Sequence, residues 1–227
     1  MTQPRERRDT LVPMLGLLGL LGGVAGLLVL HVVPPTNAIS PVRRTISEYA
    51  LGQGKWLFDL ALLLVAVGSA LGFAELARRR AARPLALVLG AVWTVSLLVI
   101  VVFTKTDWTV GPSVGGLVHR YASVAAFLSL PLAVLLMAGR VFPRDSLWRW
   151  TARGLGALSL LWFGTIVVGA VNMLNGGPPW WRFVPLGLVE RMVAGSAVAA
   201  LVVLLLGLVR SRPQVTEVAD RGPARLR

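Results

Sequence analysis

Six stretches of this chain are long and apolar enough to cross a hydrocarbon layer of roughly 30 Å, and that feature fixes what it can fold into. They cover residues 11–33, 56–77, 85–103, 116–138, 154–174 and 185–209. Hydrophobic residues make up 56% of the chain and charged ones only 15%, a balance that would leave a soluble domain of this length with far too much apolar surface in water. The first stretch is too long for the core of a signal peptide and lacks a small-residue cleavage site, so it reads as an anchor.

Orientation follows from lysine and arginine placement. Sixteen of the 23 basic residues fall before the first span, after the second, after the fourth and after the sixth. The other seven, Arg43, Arg44, Lys55, Lys105, Arg120, Arg182 and Arg191, fall on the opposite side. The positive-inside rule then places both termini in the cytoplasm, and the plasma membrane is the expected location. The expected fold is an all-α, polytopic six-transmembrane-helix bundle of three hairpins, N-in and C-in. Residues 1–10 form a cytoplasmic arm, 11–209 the transmembrane domain, and 210–227 a disordered basic tail.

The net charge of +13 does not indicate nucleic acid. The basic residues lie in short runs between apolar spans, where they set topology and meet anionic lipid. With no cysteine, disulfides and thiolate metal sites are excluded, and two histidines cannot supply two bis-histidine haems. No metal or cofactor is expected. The expected partners are membrane lipids, with a homo-oligomer left open.

Local patterns add detail. Gly16, Gly19, Gly23 and Gly26 fall on one stripe of the first span, where small residues let a second backbone approach closely. For Gly68 and Gly72 on the second span, the general abundance of glycine in membrane helices is explanation enough. Ser40 and Pro41 read as a helix start and Gly52 as its stop, with Val42, Ile46 and Tyr49 on one face and an Arg44–Glu48 pair on another. This segment is expected to be an amphipathic helix on the outer mouth of the bundle, an interfacial anchor or a lid. Glu75, beside Arg78 to Arg80, is expected to form a structural ion pair at the cytoplasmic end.

Polar groups within a bilayer are costly, and here they gather toward the outer side. His31, Asp59, His119, Arg120, Asn172, Glu190 and Arg191 all lie near outer helix ends, with Asp107 on the second outer loop. On the fifth span Trp162, Thr165, Gly169 and Asn172 share a face, which is expected to turn toward the bundle. Each residue alone has a plain structural reading: Lys55 with Asp59 as an i, i+4 pair, for example, or Arg120 and Arg191 on lipid phosphates. Taken together they suggest His119, Asp59 and Glu190 as candidate general acids or bases. Arg43, Ser47, Asp107, Arg120, Asn172 and Arg191 are the candidate headgroup contacts. A zinc site on His31, His119 and a carboxylate, or a haem between the two histidines, is the weaker alternative, because no ligand spacing supports it.

The run from Arg43 to Gly52 followed by Lys55-Trp56, the Phe103–Asp107 stretch followed by His119, and the Glu190-Arg191 pair resemble the recurrent features of a bacterial, chiefly actinobacterial, membrane family, DUF998. The resemblance spans nearly the whole chain. It implies a six-helix fold and an outer-face site of Arg43, Ser47, Asp107, His119, Glu190 and Arg191, and it supplies no reaction. Gly115-Gly116-Leu117 stands where relatives carry a second polar or histidine position, which weakens the metal reading further. Three functions follow as expectations: a protein that binds, and in a stronger form modifies, a lipid headgroup or lipid-linked substrate; a small transporter or accessory subunit; or a metal-dependent hydrolase or haem protein. Enzymatic activity is left open by the sequence.

Overall fold

The computed structural model describes residues 4–210, so the segment read above as a disordered tail lies, beyond Arg210, outside the described residues. Six α-helices run in order: α1 (Pro4–Leu30), α2 (Lys55–Arg78), α3 (Pro84–Val102), α4 (Val114–Val141), α5 (Ser146–Leu174) and α6 (Leu186–Arg210). All six contain a stretch long and apolar enough to cross a membrane, and no strand occurs among the described residues. The long connections 31–54, 103–113 and 175–185 lie at one end of the bundle, here termed the loop end. The short α2–α3 and α4–α5 turns lie at the other, arginine-rich end.

Helices α1, α2, α3, α4 and α6 pack in a closed ring, each against the next, and α6 returns to α1. α5 sits outside this ring, packed mainly against α4 and α6. Only 17% of its apolar window is buried, against 56% for α6, so α5 does not contribute to the centre. Ser159 fastens it, donating to the Val193 carbonyl at 2.9 Å. The face expected to turn inward does not: Thr165 and Asn172 are exposed, and Gly169 receives Trp180 from the next connection instead. The helical period correctly groups these residues, but one helix cannot reveal which neighbour its face will meet.

The glycine stripe has the packing role read from its spacing. A Cβ on Gly23 would lie 2.5 Å from the Ala61 carbonyl oxygen, and one on Gly19 would lie 2.9 Å from that of Leu64. Gly68 belongs to the same contact, since its own Cβ would come 2.6 Å from the Gly16 carbonyl oxygen. The abundance of glycine is therefore not a sufficient explanation at position 68. Gly72 makes room for Leu205 of α6. α1 and α2 thus approach backbone to backbone, which maximises dispersion contact where lipid supplies no hydrophobic drive.

At the arginine-rich end Glu75 is almost fully buried, at 1% exposure, and binds Arg78 at 2.6 Å and Arg79 at 2.5 Å. Arg79 continues to the Leu208 carbonyl at 2.9 Å, tying α2 to α6. α2 ends in a Schellman motif, with Ala81 N bonded to Leu76 O and Arg80 N to Ala77 O. Arg80, at φ 53°, occupies the left-handed position that glycine usually takes.

Two helix starts carry side-chain caps. α4 begins at Val114, where Ser113 Oγ accepts from Gly116 N at 3.0 Å, and α5 begins at Ser146, where Asp145 accepts from Trp148 N at 3.2 Å. The first two turns of α5 carry Arg149 and Arg153. The amphipathic helix expected over 40–52 is replaced by a turn and a 3-10 helix, Ile46–Leu51. The Ser40 hydroxyl accepts a 3.4 Å bond from Arg43 N, which closes a turn but starts no α-helix. The Arg44–Glu48 pair is present at 3.6 Å.

Candidate functional site

At the loop end the ring encloses a cavity of about 250 Å³. Its walls are aliphatic and aromatic, formed by Leu27, Leu62, Val65, Leu97 and Val198 with Phe58 and Trp93. Its polar residues are His31, Ser47, His119, Ser123, Glu190 and Arg191, close to the ends of their helices or, for Ser47, in the connection above. Leu28 and Gly195, both exposed, also border it, so the cavity communicates with the outer surface of the bundle. Pro131 lies one helical turn beyond Phe127, the deepest α4 residue in the wall, and takes no part.

Residues 41–51 cover this cavity as a cap, placing Ile46 and Ser47 in its lining. The cap has three supports, two of them on α6. On α6, Leu188 N donates to the Val42 carbonyl at 3.0 Å, and Glu190 Oε2 accepts from Ile46 N at 2.6 Å. Gly187 is required at this crossing, since a Cβ there would lie 2.7 Å from the Pro41 carbonyl oxygen. From the 103–113 connection, Lys105 donates to Thr45 Oγ1 at 3.1 Å and forms an ion pair with Glu48. The third support is Arg191. Its Nε donates to His31 Nε2 at 2.8 Å, and its Nη1 reaches the carbonyls of Arg44 at 2.7 Å and Gly187 at 2.9 Å. Its Nη2 reaches the Tyr49 hydroxyl at 3.4 Å. Tyr49, at 1% exposure, stands edge-on to His31 with ring centroids 5.3 Å apart.

The two histidines differ in what they offer. An arginine Nε only donates, so His31 Nε2 is the acceptor in its bond with Arg191. His31 Nδ1 therefore carries the hydrogen and donates to the Leu27 carbonyl at 2.7 Å, engaging both ring nitrogens. His119, at 5% exposure, donates from Nδ1 to the Phe103 carbonyl at 2.7 Å, and the Ile100 carbonyl lies beside the ring as well. Its Nε2 makes no hydrogen bond to another described residue. Ser123, a turn further along α4, is already donating to the His119 carbonyl at 2.9 Å.

Of the residues singled out from sequence, the structure brings His119, Glu190, Ser47 and Arg191 together around one cavity, with His31 beside them. It leaves the others elsewhere. Asp59 binds Lys55 at 2.7 Å, as the i, i+4 spacing implied, and its Oδ1 is sealed in without a partner. Arg43 is exposed on the cap. Arg120 is exposed and lies over the Trp108 ring, 5.9 Å from its centroid. Asn172 is exposed near the end of α5. Asp107 caps its own turn, accepting from the Thr109 hydroxyl at 2.7 Å and Thr109 N at 2.9 Å; these bonds hold its carboxyl below the usual carboxylate range. His31, with both nitrogens engaged, has no lone pair left for a metal or haem. Among the described residues no three His, Asp or Glu side chains gather as a metal site would require.

The supports that sequence reading missed are Lys105 and Tyr49, and the bond from Glu48 to Lys105 rather than to Arg44 alone. Nothing in linear spacing couples position 48 to position 105. Breaking this half-buried pair by Lys105→Met should cost about 1 kcal/mol, a value set by its partial screening. A double-mutant cycle with Glu48→Gln, read by thermal unfolding in detergent, measures it, and strict additivity would show the pair to be energetically idle.

No curated protein and no solved structure matches the chain. Residues 17–207, almost the whole bundle, match the family described as Protein of unknown function (DUF998). The family resemblance is thereby borne out, and this multi-pass membrane protein belongs to the DUF998 family.

Proposed function

We propose that the protein binds a membrane-derived amphiphile, its aliphatic chain between the walls of the cavity and its head beneath the cap. The observation that carries this reading is the cavity's composition. An apolar shaft ends in a small cluster of hydrogen-bonding groups and communicates with the lipid-facing surface. Such a shape suits a ligand that is apolar along its length and polar at one end. The positive-inside distribution of arginine supports placing the termini in the cytoplasm and the cavity in the outer leaflet of the plasma membrane. A chemical step on the bound head, with His119 or Glu190 as proton acceptor, is the stronger form of the same reading.

Transport has less to support it. Beyond Val65, Phe127 and Val198 the lining provides no polar path toward the arginine-rich end, whereas transporters commonly place polar sites at the midplane.

Ala194 is half-buried on the cavity wall of α6, and Ala194→Phe should fill the cavity. Lipid extracted from the purified variant is expected to fall by about tenfold, the equivalent of 1.4 kcal/mol of lost binding. Val168→Phe, on the exposed face of α5, should leave lipid content unchanged. Equal lipid in wild type and Ala194→Phe would refute the proposal.

A further inference from the structure

The hydrogen-bonding inventory under the cap narrows the class of head that can bind; this rests on the amphiphile reading above. We infer that the cavity's ligand is an aliphatic chain ending in a hydroxyl, and that it selects against a phosphate head. A phosphate in an apolar cavity needs several donors or unpaired cations to replace its water. The cavity offers few. Arg191 has Nε, both Nη1 hydrogens and one Nη2 hydrogen engaged by protein, which leaves a single N–H. Lys105 is paired with Glu48 and Lys55 with Asp59. Glu190, which lines the same cavity, adds acceptor oxygens rather than donors.

What remains open is mainly acceptor. His119 Nε2 has a free lone pair, because Nδ1 carries the hydrogen given to Phe103. Glu190 uses Oε2 to hold Ile46 N, and its Oε1 makes no hydrogen bond to another described residue. A hydroxyl matches this set: it donates once, to His119 or Glu190, and accepts once, from the remaining Arg191 N–H. His31 contributes indirectly. By accepting from Arg191 Nε it holds the guanidinium against the cap, which makes it a positioning residue.

The test uses the full chain in nanodiscs of zwitterionic lipid and two photoreactive probes: hexadecanol with a diazirine in mid-chain, and the phosphate monoester of the same alcohol. Mass-spectrometric mapping of the labelled residues reads the result. The alcohol is expected to label cavity residues of α1, α4 and α6 at least about tenfold more than the phosphate does, the effect of more than one missing hydrogen bond. Equal or stronger cavity labelling by the phosphate overturns the inference and leaves the amphiphile reading standing. Labelling by both probes confined to the outer surface overturns the two together.

His119→Asn keeps an amide N–H near the Nδ1 position for Phe103 and removes the Nε2 acceptor, so cavity labelling by the alcohol should fall about fivefold. If that variant does not fold, Glu190→Gln can still accept from Ile46 N while its other terminal atom becomes a donor. It should lower alcohol labelling and raise phosphate labelling. No change in a folded variant counts against the inference. Competition with a monoacylglycerol and with a short polyprenol separates two membrane sources of such a head. Displacement by either agrees with the inference, and displacement by neither overturns it.

Discussion

Adding one methyl group at Gly68 is expected to loosen the whole bundle. The Cβ of Gly68→Ala would lie 2.6 Å from the Gly16 carbonyl oxygen and 2.8 Å from Leu20 N, both backbone atoms of α1. A side chain can swing away from such a clash, but backbone cannot. α1 must therefore withdraw along its length, opening the contacts at Gly19 and Gly23 as well. Overpacking of this kind costs about 3 kcal/mol, toward the upper end of the usual range because no rotamer relieves it. The measurement is the temperature at which purified protein loses its monodisperse chromatographic peak. Gly164→Ala is the matched control, since its Cβ would meet nothing within 4 Å and alanine is the better helix former. Equal stability of the two variants would show that α1 and α2 do not approach as described.

The second large effect is expected at Arg191. Removing its guanidinium in Arg191→Ala strips the Arg44 and Gly187 carbonyls, His31 Nε2 and the Tyr49 hydroxyl of their shared donor. Hydrogen bonds to a charged group contribute about 1.5–3 kcal/mol each, and partial rehydration of the exposed Arg44 side offsets some of that. A local loss of about 3 kcal/mol is the reasonable sum, and it falls on the cap rather than on the helices. Arg43 and Arg44 are themselves exposed trypsin sites within the cap. Cleavage there should accelerate roughly hundredfold in Arg191→Ala if cutting follows the open population. Arg120→Ala should leave the rate unchanged, because Arg120 lies over Trp108 and makes no hydrogen bond or ion pair with a described cap residue. Similar rates for the two variants would remove Arg191 from its role as a clasp.

These two residues also mark how far the sequence could be read. The six helices and the glycine stripe were legible because they are one-dimensional facts: an apolar run has a length, and a three-four-three spacing has a face. The ion pairs Lys55–Asp59, Arg44–Glu48 and Glu75 with Arg78 and Arg79 were legible for the same reason, as each lies within one turn. The site was legible only in part. His119, Glu190, Ser47 and Arg191 share a cavity as their depth suggested, but Asp59, Asp107, Arg120 and Asn172 stand at similar depth and face elsewhere. Depth along a helix follows from counting residues, whereas rotation about its axis depends on which neighbour it packs against. That choice is made by contacts such as Ser159 with Val193 and Gly169 with Trp180, which join distant parts of the chain. The cap was misread as an α-helix because its apolar periodicity is real. Its Ile46 N–H and its Val42 and Arg44 carbonyls, however, are taken by α6, and an isolated segment cannot disclose that.

The clasp also has a place in time. Ile46 and Glu190 are 144 residues apart, so the cap emerges from the ribosome long before its anchors on α6 exist. α1 and α2 can close on each other as soon as both are inserted, yet residues 41–51 have no α6 carboxylate, guanidinium or backbone N–H to hold them until the final helix enters. The covered cavity is accordingly the last part of the molecule to be completed. A chain truncated before Leu186 would keep its first hairpin and have no covered chamber.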